Sequence, residues 1–85
     1  MTEREELLNR LSLIEGQVRG IRRMIEEERY CVDVLTQVAA VRAAMGKVTQ
    51  KLLAAHTRVC VQQAVLRGKG NEAVDELLEV IAHIV

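Results

Sequence analysis

One apolar pattern constrains the fold of this chain more than any other feature. From residue 31 to residue 59, apolar side chains recur at alternating spacings of three and four residues, as they do along the seam of a coiled coil. We call these positions the central seam: Cys31, Val34, Val38, Val41, Met45, Val48, Leu52, Ala55 and Val59. The pattern predicts one long helix over about residues 31–66, with a flat apolar stripe that packs against a similar helix.

Two shorter amphipathic stretches flank this helix. Helical spacing of apolar residues predicts a first helix over about residues 3–28 and a third over 71–84, with a helix end and turn at "RGKG", residues 67–70. The chain has no Pro, Phe or Trp, and Tyr30 is its only aromatic residue, which favours helices over sheets. The sequence therefore predicts one all-α domain over residues 1–85, with three helices in each protomer.

Composition also limits where the chain acts and what it does. No apolar run approaches the roughly 18 residues of a membrane span, and "MTEREELLNR" lacks the apolar region of a signal peptide. We therefore expect a cytoplasmic protein without a membrane partner, in which the two cysteines are reduced. We expect no enzyme, because no paired carboxylates or nucleophile–base pair stand out in a helical protomer of 85 residues.

One histidine and two cysteines are the candidate metal ligands. One helical turn separates His56 from Cys60, so both side chains project from one face and can reach one small ion. Cys31 lies 25 residues before His56, and at about 1.5 Å per residue a straight helix holds the two roughly 37 Å apart. The three cannot share an ion within one straight helix, but they can share one between two chains.

An antiparallel dimer of central helices would bring these ligands together. Pairing residue 31 with residue 59 places the crossing near residue 45, in "RAAMGK", where small residues permit close backbone approach. Such a dimer has two identical sites, each with Cys31 from one chain and His56 plus Cys60 from the other. Two thiolates and one imidazole form a soft, three-coordinate set that suits Cu(I), whereas structural Zn normally takes a fourth ligand. The alternative is packing, because Cys is often buried and Cys31 occupies a seam position.

Basic residues are concentrated in the middle of a chain whose formal net charge is zero. Residues 31–69 carry six basic side chains against Asp33 alone, whereas residues 70–85 carry four acidic side chains and none that is basic. Arg19, Arg22 and Arg23 cluster in the first helix, and Lys47 and Lys51 lie one turn apart in the second. Such clusters are often solvated surface, but their repetition in an oligomer would add phosphate contacts. No helix-turn-helix or zinc finger is evident.

These residues resemble a known family. The stretch "LLNRLSLIEGQVRGIRRMIEEERYCVDVLTQVAAVRAAM", followed by "HTRVC", is similar to the CsoR/RcnR family of metal-responsive transcriptional repressors, and Cys31, His56 and Cys60 match its copper-sensing branch. The resemblance implies an all-helical, three-helix protomer, an antiparallel dimer with intersubunit Cu(I) sites, and a dimer-of-dimers tetramer. Nickel and cobalt sensors of the family carry an N-terminal His that "MTEREE" lacks.

The resemblance also implies roles for five further residues. Tyr30 and Glu76 would support the metal ligands, with Glu76 near the His56 ring nitrogen that does not bind the metal. Arg10 and Lys47 match basic positions implicated in operator binding, and Gln17 falls in the same "NRLxxIxGQVxG" motif. His83 matches no ligand position.

Together these observations predict a Cu(I)-sensing repressor. The metal-free protein would bind operator DNA, and Cu(I) would release it and derepress copper-resistance and export genes. Two alternatives stay open: a persulfide- or redox-sensing repressor that uses Cys31 and Cys60, and a copper-binding helical oligomer that does not bind DNA.

Overall fold

The computed structural model describes residues 2–84, and the regular structure among them is entirely α-helical. The helices are α1 (Glu3–Glu26), α2 (Cys31–Ala55), α3 (Thr57–Leu66) and α4 (Gly70–Ile84). The all-α class is therefore confirmed. Met1 and Val85, which the predicted domain of residues 1–85 includes, lie outside the described residues. None of the helices described is long and apolar enough to cross a membrane.

The central helix that we predicted over residues 31–66 is interrupted once. His56 separates α2 from α3, with φ of −105° and ψ of −33°. Hydrogen bonds of helical spacing continue on both sides of it, because the His56 amide donates to the Leu52 carbonyl at 3.0 Å and the Cys60 amide donates to the His56 carbonyl at 3.1 Å. The three predicted helical segments are thus present, and the second consists of α2 and α3.

Helix α1 has well-defined signals at both ends. The Thr2 hydroxyl accepts a hydrogen bond of 3.1 Å from the Glu5 amide, and acidic residues in the first turn favour the helix N-terminus. At the other end, Glu28 has a φ of 55°, and the Arg29 amide donates to the Met24 carbonyl at 2.9 Å, as in a Schellman motif. The helix therefore ends at Glu26, two residues before the predicted boundary.

The chain divides into two compact units, and the first extends to Lys51. Its core consists of Leu7 and Ile14 from α1 and Val48 from α2, and Val48 is only 5% exposed. Three partly buried residues pack against this core: Leu11, Val41 and Ala44. The helical spacing of these positions explains the packing, since each helix turns one apolar face inward. The single-domain organisation of the chain stays a prediction.

Much apolar surface of this first unit is left uncovered. The large apolar side chains that are exposed include Leu13, Val18, Ile25, Val32, Leu35 and Met45. Met45, a member of the central seam, is 42% exposed, and Leu13 is 72% exposed. Exposed apolar surface of this kind is typical of a chain that packs against another protein surface.

The second unit begins at Leu52, and in it α3 packs against α4. The turn between them contains Gly68, with a φ of 74°, and the Lys69 amide donates to the Ala64 carbonyl at 2.8 Å. A left-handed residue at this position favours glycine, because a Cβ would approach the neighbouring backbone. The turn that we predicted at residues 67–70 is therefore present, and α4 begins at its last residue, Gly70.

Candidate functional site

His56 and Cys60 lie one helical turn apart where α3 begins. His56 immediately precedes α3, and its carbonyl accepts the Cys60 amide at 3.1 Å. The Thr57 hydroxyl donates to the Leu52 carbonyl at 3.3 Å, which adds a second hydrogen bond at the interruption. Both candidate ligands are exposed, and the Cys60 thiol is free. An imidazole and a thiol are thus accessible from solvent at the i, i+4 spacing, which allows two side chains to reach one ion.

A cavity of ≈ 320 Å³ opens beside these two residues. It is lined by Leu52, His56, Thr57, Cys60, Val61, Ala73, Glu76 and Leu77. Glu76, which belongs to α4, is the only carboxylate in this lining. The packing of α4 on α3 therefore brings Glu76 to the cavity that also contains the imidazole and the thiol. Its carboxylate provides an acceptor in otherwise largely apolar surroundings.

Cys31 is the first residue of α2, in the unit that extends to Lys51. Its thiol is free and exposed. Tyr30 precedes it, and the Tyr30 carbonyl accepts hydrogen bonds from the amides of Asp33 at 3.0 Å and Val34 at 3.2 Å. The phenol ring of Tyr30 is also exposed. Tyr30 thus helps to begin α2 through its backbone, immediately before the candidate ligand.

The described residues of a single chain contain no group of three or more His, Cys, Asp or Glu side chains that could hold a metal ion. The donor types nevertheless suit a soft metal ion, because two free thiols and an imidazole are the groups that such ions prefer.

Two of the candidate DNA-binding residues converge on one carboxylate. The Lys51 ammonium lies 2.7 Å from Glu6 Oε1, and Arg10 Nη2 lies 3.5 Å from the same oxygen. The hydrogen bond and the charge of Lys51 are the main reasons that the pKa of Glu6 lies below its ordinary value. Desolvation opposes this shift, and Arg10 contributes less to it than Lys51 does. These three residues form what we call the Glu6 cluster.

The other candidate DNA-binding residues differ in their contacts. Arg22 Nε donates to Glu26 Oε1 at 3.1 Å. Arg19, Arg23 and Lys47 are exposed and form no ion pair with any other described residue. Gln17 lines a cavity of ≈ 290 Å³ together with Arg10. The exposed cations of α1 and α2 are therefore accessible to an anionic partner, although Arg22 already has a carboxylate partner.

Glu6 and Thr57, whose contacts are described above, were not predicted from the sequence. Glu6 lies four residues before Arg10, a spacing that does indicate an ion pair on one helix face. Its contact with Lys51, 45 residues away, depends on how α1 and α2 pack, and no local pattern indicates it. No sequence pattern indicated Thr57, because its hydrogen bond to the Leu52 carbonyl lies at the interruption at His56.

Comparison with known proteins identifies the family of this chain. The sequence profile described as "Metal-sensitive transcriptional repressor" matches residues 3–83. The copper-sensing transcriptional repressor CsoR of Bacillus subtilis (strain 168) is 51% identical over 78 residues, which cover 92% of this chain and 77% of that protein.

Two solved structures are similar over nearly the whole chain. The copper-sensing repressor CsoR with Cu(I) from Geobacillus thermodenitrificans NG80-2 has a TM-score of 0.80 and 43% identity, covering 93% of this chain and 82% of the other. The nickel-responsive transcriptional regulator InrS has a TM-score of 0.69 and 40% identity, covering 95% of this chain and 91% of the other. The chain therefore belongs to the family of metal-sensitive transcriptional repressors.

Proposed function

We propose that this protein is a Cu(I)-sensing transcriptional repressor whose metal-free form binds operator DNA and whose Cu(I)-bound form releases it. One observation carries the proposal: His56 and the free thiol of Cys60 are both exposed, one turn apart, and line a cavity with Glu76. The similarity to copper-sensing repressors supports the choice of both metal and activity. A repressor of this kind would act in the cytoplasm.

The complete ligand set in this proposal is Cys31 of one chain with His56 and Cys60 of a second chain. The separation of 25 residues between Cys31 and His56 supports a shared site, because a straight helix holds residues so spaced roughly 37 Å apart. The exposure of Met45, a member of the central seam, supports self-association, because such a seam packs against a similar helix. An antiparallel dimer would contain two such sites, and two dimers would form the tetramer that operator binding uses.

The donor set also favours Cu(I) over Ni(II). Thiolates suit Cu(I), whereas Ni(II) is typically held by nitrogen and oxygen donors in tetragonal geometry. This distinction matters because the similar structures include both a copper-sensing and a nickel-responsive protein. Glu76 would accept a hydrogen bond from the His56 ring nitrogen that does not bind the metal, and so fix the tautomer of the ligand. Tyr30 would support Cys31 from the residue before it.

Operator binding in this proposal uses the basic side chains of α1 and α2. These are Arg10, Arg19, Arg22, Arg23, Lys47 and Lys51, with Gln17 beside Arg10. Each contact with a phosphate releases counterions, and a tetramer repeats the same surface four times, so the total affinity depends strongly on salt. By linkage, DNA must weaken metal binding by the same factor by which metal weakens DNA binding, typically about 1–3 kcal/mol.

Two titrations test this function. Reduced protein is titrated anaerobically with Cu(I) against a competing chelator, with Cys31→Ser in parallel, and the same samples are then added to fluorescent operator DNA. One tight equivalent per chain, lost in the variant and accompanied by DNA release only in the wild type, is the expected result. Failure to compete with the chelator would contradict the copper proposal.

A second candidate function follows from the two free, exposed thiols. Cys31 and Cys60 of neighbouring chains could react with a polysulfide as the oxidant, which would link the two sulfurs through sulfane sulfur and release the reduced remainder as hydrogen sulfide. Mass spectrometry after polysulfide treatment would detect that interchain crosslink. A plain copper-binding oligomer would instead show Cu(I) binding but no retention of DNA in a filter-binding assay at low salt.

A further inference from the structure

The Glu6 carboxylate contacts two cations from different helices. Its Oε1 atom lies 2.7 Å from Lys51 Nζ and 3.5 Å from Arg10 Nη2. The two cations come from α2 and α1 respectively, so the packing of these helices creates the pair of donors. A carboxylate oxygen and a phosphate oxygen make the same kind of charge-assisted hydrogen bond to these groups.

The contacts of Glu6 are short, but the side chains that form them are partly exposed to solvent. The Glu6 and Lys51 side chains are 41% and 38% exposed, and ion pairs between exposed side chains typically contribute little to stability. The Arg10 side chain is 34% exposed, and its contact of 3.5 Å with Glu6 is longer than that of Lys51. Both cations can therefore exchange the carboxylate for another anion at small cost.

We propose that Glu6 is an internal competitor for DNA phosphate, which holds Arg10 and Lys51 in the free protein and must release them when DNA binds. This inference rests on the proposed operator binding and assigns a regulatory role within the same surface. The carboxylate lowers the affinity for every DNA sequence equally, because phosphate contacts carry no sequence information. It therefore keeps non-specific binding weak.

The net charge of the Glu6 cluster predicts how Glu6→Gln changes the salt dependence of DNA binding. Two cations and one carboxylate leave the Glu6 cluster with a single net positive charge. The substitution Glu6→Gln removes the negative charge while keeping the size of the side chain, so the cluster then carries both positive charges. Since each neutralised phosphate contributes about 0.9 to the slope of log K against log salt, the slope should steepen by up to about that amount for each chain in contact with DNA.

Glu5→Gln is the matched control. Glu5 is adjacent in the first turn of α1 and has the same charge, but its carboxylate forms no ion pair with any described residue. Metal-free wild type, Glu6→Gln and Glu5→Gln are titrated into a fluorescent 30-base-pair duplex of arbitrary sequence over a series of salt concentrations. We expect Glu6→Gln to bind several-fold more tightly than Glu5→Gln, with the steeper slope. Circular dichroism checks that the helix content is unchanged.

The double variant Glu6→Gln/Lys51→Met shows whether the effect operates through the cation. When Lys51 is already replaced by Met, the substitution Glu6→Gln should raise the affinity for DNA by less than it does in the wild type. Equal affinities of Glu6→Gln and Glu5→Gln would overturn the competition while leaving the repressor proposal intact. Absence of binding by all the proteins at the lowest salt would overturn the competition, and binding by Glu6→Gln alone would support it. The titration with operator DNA tests the repressor proposal separately.

Discussion

The amide of Cys60 donates a hydrogen bond of 3.1 Å to the carbonyl of His56. This bond keeps the imidazole and the thiol one turn apart although the long helical segment is interrupted at His56. The interruption also places His56 outside the regular turns of α2 and α3, beside a cavity that Glu76 lines from α4. The proposed ligand pair therefore lies at the start of α3, beside a cavity that α4 also lines.

His56→Ala should abolish tight Cu(I) binding, because it removes one of three ligands. The loss should exceed the roughly 10–100-fold that removal of an outer hydrogen-bond partner costs. His83→Ala is the control, since His83 is exposed in α4 and does not line the cavity. The measurement is competition with a Cu(I) chelator, and equal affinities of the two variants would remove His56 from the site.

Glu76→Ala should weaken Cu(I) binding by about tenfold without changing the stoichiometry, because it removes a group that orients a ligand rather than a ligand itself. Glu79→Ala is the matched control: Glu79 lies one turn further along α4 and does not line the cavity. The same chelator competition measures both. If the two variants behave alike, the carboxylate of Glu76 does not support His56.

Helical periodicity predicted the fold well, and its errors have local causes. The seam pattern continues through Ala55 and Val59 without Gly or Pro, so nothing in the sequence indicated the interruption at His56. The end of α1 was placed two residues too late because its left-handed residue is Glu28 rather than the usual glycine. Where glycine does occupy that position, at Gly68, the turn was predicted correctly.

The candidate site could be predicted only in part. The i, i+4 spacing of His56 and Cys60 was visible in the sequence, whereas Glu76 was predicted only from the family resemblance, because its proximity depends on the packing of α4 against α3. The contact between Glu6 and Lys51 likewise depends on how two helices pack, and no local sequence pattern indicates it. The roles of all these residues in binding remain predictions.

Two glycine substitutions should change stability in opposite directions. Gly68→Ala should destabilise the protein by about 1 kcal/mol, because Gly68 has a φ of 74° that alanine adopts at a cost. Gly20→Ala should instead stabilise it by up to about 1 kcal/mol, since Gly20 lies within α1 and a Cβ there meets no atom within 4 Å. Urea denaturation measures both free energies of unfolding. Stabilisation by Gly68→Ala would contradict the left-handed turn.

The pKa of Glu6 should rise in Lys51→Met, because Lys51 is the main cause of its lowered value. A carboxyl group with a lowered pKa in the folded state adds stability above its unfolded pKa and loses it as pH falls through the folded value. The contribution of Glu6 should therefore disappear only under acidic conditions, below its ordinary pKa. Carbon-detected NMR titration of the Glu6 carboxyl group measures the shift, and an unchanged pKa in Lys51→Met would contradict the contact.

The shared metal site is tested most directly by mixing two variants, Cys31→Ser and Cys60→Ser, that carry different affinity tags. Each variant alone lacks a ligand at every site. In a mixed antiparallel dimer, one site loses both thiols, but the other combines an intact Cys31 with an intact His56 and Cys60. Purified mixed dimers should therefore bind one tight Cu(I) per dimer in competition with a chelator, and neither parent should bind any. Tight binding by the Cys31→Ser parent, or none by the mixed dimer, would contradict an intersubunit site.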